Sequence, residues 1–218
     1  MKKLLLVSLV LLAACTTAEI VNTWKNPDIV LFDAYKVLIV GMTPDQKSQE
    51  EFETKMTRQF KERGVEAMRS IDIFDVAFTN AARSEKELDE VEQQLLDKDF
   101  DAVLFTKVLG AESRQSFSQK LADMDRYNSR FKEDYLSHQD IYYNDEYYEE
   151  YTVYLVETSL YCICVGKERD LIWRAVLEIE NPFEVHKTID EFVELVVMGL
   201  ADEDLIFRKE KKSATSNL

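Results

Sequence analysis

The chain has 218 residues, 46% of them apolar, and a formal net charge of −15. That length and apolar content suffice for one domain with a real core. The charge excludes attraction to nucleic acid or to anionic lipid surfaces. Three cysteines are too few for a disulfide framework, and five glycines and three prolines imply that most of the chain is regular structure.

Taken in order, the chain opens with Lys2 and Lys3, then an apolar run to Leu12 broken once by Ser8, then Ala13, Ala14 and Cys15. A charged start, an apolar stretch and small residues at its end form a secretory signal. The stretch is too short to cross a bilayer, which takes roughly 20 residues. Leu12-Ala13-Ala14-Cys15 resembles the lipobox of bacterial lipoproteins. The resemblance implies cleavage before Cys15, a diacylglyceryl thioether on its sulfur and an acylated amine. Loss of Lys2 and Lys3 then takes the net charge to −17, so the lipid, and not surface charge, holds the chain to a membrane. Several acyl chains at about 0.8 kcal/mol per buried CH₂ hold almost permanently. Threonine at position 16, in place of an aspartate, points under enteric-type sorting to the outer membrane, periplasmic face.

Residues 15–33 read as a lipid-anchored tether, with Thr23-Trp24-Lys25-Asn26-Pro27-Asp28 as a polar turn whose tryptophan packs over a sheet end. A single α/β domain is expected over residues 34–207. Residues 35–41 are a continuous apolar run stopped by Gly41, the pattern of a central strand. Phe52, Met56 and Phe60 mark one face of a helix over 49–63, closed by Gly64. Residues 65–68 give a short second strand, and 71–82 a short helix or loop. Ser84-Glu85-Lys86-Glu87 is a capping box opening a helix to Leu96, with Leu88, Val91 and Leu95 inward. Residues 100–106 are a third buried strand. This βαβαβ order predicts a parallel sheet with right-handed crossovers.

Residues 111–151 differ in character. They hold seven of the ten tyrosines and many acids, with few aliphatic residues. They read as an insertion, helical at first along Phe117, Leu121, Met124, Phe131 and Tyr135. Tyr142, Tyr143, Tyr147, Tyr148 and Tyr151 are candidate partner-binding residues, because tyrosine offers a large rigid face at low entropic cost. On this reading the insertion is not needed for folding. Residues 152–164 and 171–179 form an antiparallel β-hairpin, residues 185–200 a last helix with Ile189, Phe192, Val196 and Leu200 on one face, and 208–218 a disordered tail. The expected fold is thus α/β, a mixed three-layer sheet in which βαβαβ is followed by a hairpin and a C-terminal helix.

The lipobox, Thr23-Trp24-Lys25-Asn26-Pro27-Asp28, Lys36-Val37-Leu38-Ile39-Val40-Gly41, Gly64-Val65-Glu66-Ala67, Phe100-Asp101-Ala102-Val103-Leu104, Leu160-Tyr161 before Gly166, and Ile172-Trp173 together resemble a family of uncharacterised bacterial outer-membrane lipoproteins. The resemblance implies a fold similar to the amino-terminal domain of TolB and to the curli-secretion lipoprotein CsgG. Both are envelope proteins and neither is an enzyme, so it implies no catalytic residue and no cofactor.

The residues themselves agree with that expectation. Met42-Thr43-Pro44-Asp45 after the first strand lacks any phosphate loop. Cys162, Cys164, His138 and His186 lack zinc-ligand spacing. Cys162 and Cys164 share a strand face, where extended geometry opposes a disulfide between them. No nucleophile motif is present. Two readings remain: a non-enzymatic envelope interaction module, and a binder of a hard cation or small molecule through Asp140, Asn144, Asp145, Glu146, Glu149 and Glu150, whose spacing does not match an EF-hand loop.

Overall fold

The computed structural model describes residues 18–74, 82–110, 130–142, 153–163, 170–180 and 185–207. Six strands form one mixed sheet: β1 (Ala18–Lys25), β2 (Lys36–Met42), β3 (Glu66–Arg69), β4 (Ala102–Gly110), β5 (Val153–Cys162) and β6 (Leu171–Glu180). Their order across the sheet is β1-β6-β5-β4-β2-β3. β2 runs parallel to β3 and β4, while β4–β5, β5–β6 and β6–β1 are antiparallel. Four helices accompany it among the described residues: α1 (Gln46–Glu62), α2 (Glu85–Asp97), α3 (Phe131–His138) and α4 (Val185–Asp202). The α/β class and the βαβαβ-then-hairpin order are as the sequence predicts.

The step from β2 to β3 goes one way across the sheet and the step from β3 to β4 returns past β2. Two crossovers of the same hand then put α1 and α2 on opposite faces. The packing agrees. Phe52, Met56 and Phe60 of α1 share one core with Val37, Ile39, Leu104, Trp173 and the α4 residues Phe192, Val196 and Leu200. Leu88, Val91 and Leu95 of α2 share the other with Leu38, Val40, Val103, Phe105 and Tyr161. β2 alternates between the two cores, which is why its sequence is a continuous apolar run.

Helix ends explain the turns. The Ser84–Glu87 capping box opens α2 as expected. Gly64, at φ 80°, ends α1: its N–H donates to the Lys61 carbonyl, and that of Val65 to the Phe60 carbonyl, 3.0 Å each. α2 and α4 end with the same bond pattern but place Asp99 (φ 62°) and Asp204 (φ 55°) in the left-handed position. Gly199 in α4 serves packing. A Cβ there would lie 2.9 Å from Cζ2 of the fully buried Trp173.

Three expectations need correction. Ala18–Lys25 is a strand and not a tether; it lines the β6 edge, and Trp24 pairs with Arg174 within it. Residues 130–142, inside the expected dispensable insertion, are part of the second core through Phe131, Tyr135 and Ile141, all buried. Cys162 is disulfide-bonded. The other two cysteines, Cys15 and Cys164, lie outside the described residues. β5 ends at Cys162, so the strand geometry that argued against a bond to residue 164 does not extend that far.

Candidate functional site

The carboxyl ends of β2 and β3 meet the amino end of α1 on the sheet face covered by α2 and α3. A cavity of about 570 Å³ lies there. It lies at the carboxyl ends of two parallel strands, the side on which open α/β sheets bind ligands. Leu38 and Val40 of β2 and Leu88, Val91 and Leu95 of α2 form the apolar floor. Phe131 and Tyr135 of α3, with Tyr142 and Phe74, make an aromatic wall. The Phe131 and Tyr135 rings stand 6.2 Å apart and those of Tyr135 and Tyr142 6.3 Å. Gln46, Gln49, Glu50, Arg69 and Asp72 form the polar rim.

A buried carboxylate fixes the rim. Glu53 of α1 is fully buried and accepts from the Gly41 N–H (2.9 Å), the Gln49 side-chain amide (3.1 Å), the Ser70 hydroxyl (2.6 Å) and the Ile71 N–H (3.2 Å). It thereby ties α1 to the ends of both β2 and β3. Burial raises its pKa; the four donors oppose that without overcoming it. At the rim Arg69 grips Asp72 with two bonds, 2.8 and 2.6 Å, and donates to Thr54 at 2.9 Å. Asp45 caps α1, accepting from the N–H groups of Lys47 and Ser48 and from the Ser48 hydroxyl. A helix amino end is a ready anion seat, and here the chain's own carboxylate occupies it.

A second buried cluster holds the aromatic wall. Lys107 of β4, 1% exposed, lies between Asp134 of α3 and Glu157 of β5, the latter at 3.0 Å. Tyr161 donates its hydroxyl to Asp134 at 2.6 Å, and His138 Nδ1 lies 3.1 Å from the same carboxylate. Burial works against the charged forms, but the opposite charges outweigh it. Lys107 is held above lysine's ordinary pKa by Glu157 and Asp134, and Asp134 well below the usual carboxylate range by Lys107 and His138. Ser159 donates to Glu157 at 3.1 Å. Because Phe131 and Tyr135 flank Asp134 on α3, this cluster positions the cavity wall.

The sequence-predicted residues fall as follows. Tyr142 is half-buried on the cavity wall, and burial, then the neighbouring Tyr135 and Glu53, push its hydroxyl pKa well up. It is therefore a wall residue and not part of an exposed patch. Tyr143, Tyr147, Tyr148 and Tyr151, like Cys15, lie outside the described residues. Of the candidate cation ligands, Asp140 is exposed and the rest lie outside the described residues. His138 and His186 are on α3 and α4, facing Asp134 and Glu51. Among the described residues no three His, Cys, Asp or Glu side chains converge as a metal site. Sequence reading missed Glu53, Lys107, Asp134 and Glu157. The one available signal was a charged residue inside a strand pattern, Lys107 between Thr106 and Val108 and Glu157 between Val156 and Thr158.

No family model matches the chain, and no curated protein does. Among solved structures it is similar to the PelC dodecamer from Paraburkholderia phytofirmans, at 11% identity and a TM-score of 0.42, covering 88% of this chain and 99% of that one. It is also similar to lipoprotein GNA1162 from Neisseria meningitidis, at 14% identity and a TM-score of 0.39, covering 77% and 97%. Likenesses at such scores carry no functional inference. No helix among the described residues is long and apolar enough to cross a membrane.

Proposed function

We propose that the chain is a non-enzymatic, lipid-anchored protein of the bacterial cell envelope, attached through Cys15 to the outer membrane on its periplasmic side, and that it contacts other envelope proteins. The observation that carries this is Leu12-Ala13-Ala14-Cys15 behind two lysines and a short apolar run. Two features of the fold support it. β1 begins at Ala18, three residues past Cys15, so the domain has about 10 Å of slack at most. An anchor there keeps the sheet against the bilayer by its β1 edge. The opposite end of the sheet, where β1 finishes and β2 starts, carries Val30, Leu31 and Tyr35, which are 76%, 56% and 74% exposed. Apolar side chains left in water at the end away from the anchor suit a protein partner.

Replacement of Cys15 by serine is the test. The expected result is an unprocessed precursor lost from the outer-membrane fraction. Normal processing and fractionation in that variant would remove the anchor from the argument.

The cavity favours a second reading, that the domain binds a small molecule. Its volume lies within the range of ligand sites, about 300–1,000 Å³, and it combines an apolar floor with convergent polar groups. β1 starts at the sheet end where β2, β4 and β6 finish, as the registers Ala18 with Ile179 and Met42 with Lys107 require. An anchor on Cys15 and the cavity therefore lie toward the same end of the strands, at opposite edges of the sheet.

A further inference from the structure

We propose that this cavity binds an organic cation with an apolar body, of the quaternary-ammonium type; the proposal rests on the small-molecule reading and names its ligand class. Three observations select the charge. First, the wall is aromatic. The Tyr135 ring stands 6.2 Å from that of Phe131 and 6.3 Å from that of Tyr142, and aromatic faces carry the negative side of a quadrupole that attracts cations. Second, among the described residues Arg69 is the rim's one cation, and it faces both Asp72, through two bonds, and Glu50, so the described rim carries more negative than positive charge. Third, the place where an anionic head would go is taken, because Asp45 caps the amino end of α1. The field of a chain with net charge −15 adds to the same preference. The floor of Leu38, Val40 and Val91 accounts for the apolar body: a bare metal ion or a polyol would leave that surface unused.

The test uses the full chain in nanodiscs of zwitterionic phospholipid, with empty discs as the blank. Calorimetric titrations compare benzyltrimethylammonium, benzyl alcohol and phenylacetate. Benzyltrimethylammonium should saturate one site and bind at least tenfold more tightly than phenylacetate, with benzyl alcohol between them. Glu50→Lys, an exposed position on α1, should weaken the cation at least fivefold. Glu62→Lys makes the same charge change at the far end of the helix and should move it less than twofold. Val91→Trp, which fills the floor, should abolish binding of all three probes. If phenylacetate binds as tightly as the cation and Val91→Trp still abolishes both, the ligand class is wrong and the small-molecule reading stands. If no probe saturates, both fall and the anchor is untouched. If Glu62→Lys weakens the cation as much as Glu50→Lys, the attraction is that of the whole acidic chain, and the site is refuted.

Discussion

Lys107→Met is the sharpest probe of how the second face is held together. Methionine keeps most of the lysine volume and removes the ammonium. Two carboxylates then remain buried side by side, Asp134 at 6% exposure and Glu157 at 2%. Removing one partner of a buried ion pair costs about 3–5 kcal/mol, because the charge left behind is uncompensated. Against a total stability of about 5–15 kcal/mol that is a large fraction. With a urea slope of about 1–3 kcal/mol/M, the unfolding midpoint should fall by roughly 1–5 M. The assay is urea unfolding of residues 15–218 carrying Cys15→Ser, followed by the fluorescence of Trp24 and buried Trp173. The companion variant Lys107→Met/Asp134→Asn/Glu157→Gln discharges the cluster but leaves residue 134 able to accept from Tyr161. It should recover most of the loss. A single variant within about 0.5 kcal/mol of the parent would refute the reasoning. So would a triple variant no better than the single one, since the cost would then be packing and not charge.

Other outcomes follow from the same geometry. Gly199→Ala should destabilise the domain, because about 1 kcal/mol of helix propensity is set against an overpacking cost of about 1–3 kcal/mol where the new Cβ meets the rigid ring of Trp173 at 2.9 Å; a raised melting temperature would show that the ring gives way. Asp99→Gly should stabilise by up to about 1 kcal/mol in urea unfolding, because Asp99 holds φ 62° at the end of α2 and glycine adopts it without the Cβ penalty. Asp134 is held below its unfolded value of about 3.9, so its contribution is complete above about pH 4 and is lost as pH falls through that value toward the folded one. The stability gap between the parent and Asp134→Asn, measured from pH 2 to 6, should therefore close on the acid side.

What the sequence made legible was whatever one segment could announce alone. The run Val37 to Val40 is apolar on both sides because both sheet faces are covered. Phe52, Met56 and Phe60 repeat every four residues because one face of α1 is buried. Ser84 and Glu87 cap each other locally. β1 escaped because it is an edge strand: Glu19, Val21 and Thr23 are exposed and Ile20, Asn22 and Trp24 only half-buried. Its pattern is shallow, and its pairing with β6 joins residues 148 to 161 positions apart. α3 escaped because eight residues give two turns, and its acid-rich sequence FKEDYLSH looks solvated. Phe131 and Tyr135 were visible as a stripe, yet the burial of Asp134 between them depends on Lys107, 27 residues away.

That dependence predicts that the insertion cannot be trimmed as composition suggested. A linker in place of residues 112–150 removes α3, and with it one of the two carboxylate partners of Lys107 and two aromatic rings packed on Phe105. The cavity has the same origin. Its floor comes from β2 and α2, its wall from α3, and its rim from α1 and the end of β3. No local pattern encodes a volume left between five elements. Met42-Thr43-Pro44-Asp45 carries no phosphate-loop motif, and in the structure Asp45 accepts from the Lys47 and Ser48 N–H groups at the start of α1. A doubly wound sheet ordinarily offers an anion seat at this corner. Here the seat is filled from within and the wall beside it is aromatic. On the reading proposed above, the remaining chemistry of the corner favours positive charge, where other doubly wound sheets select phosphates.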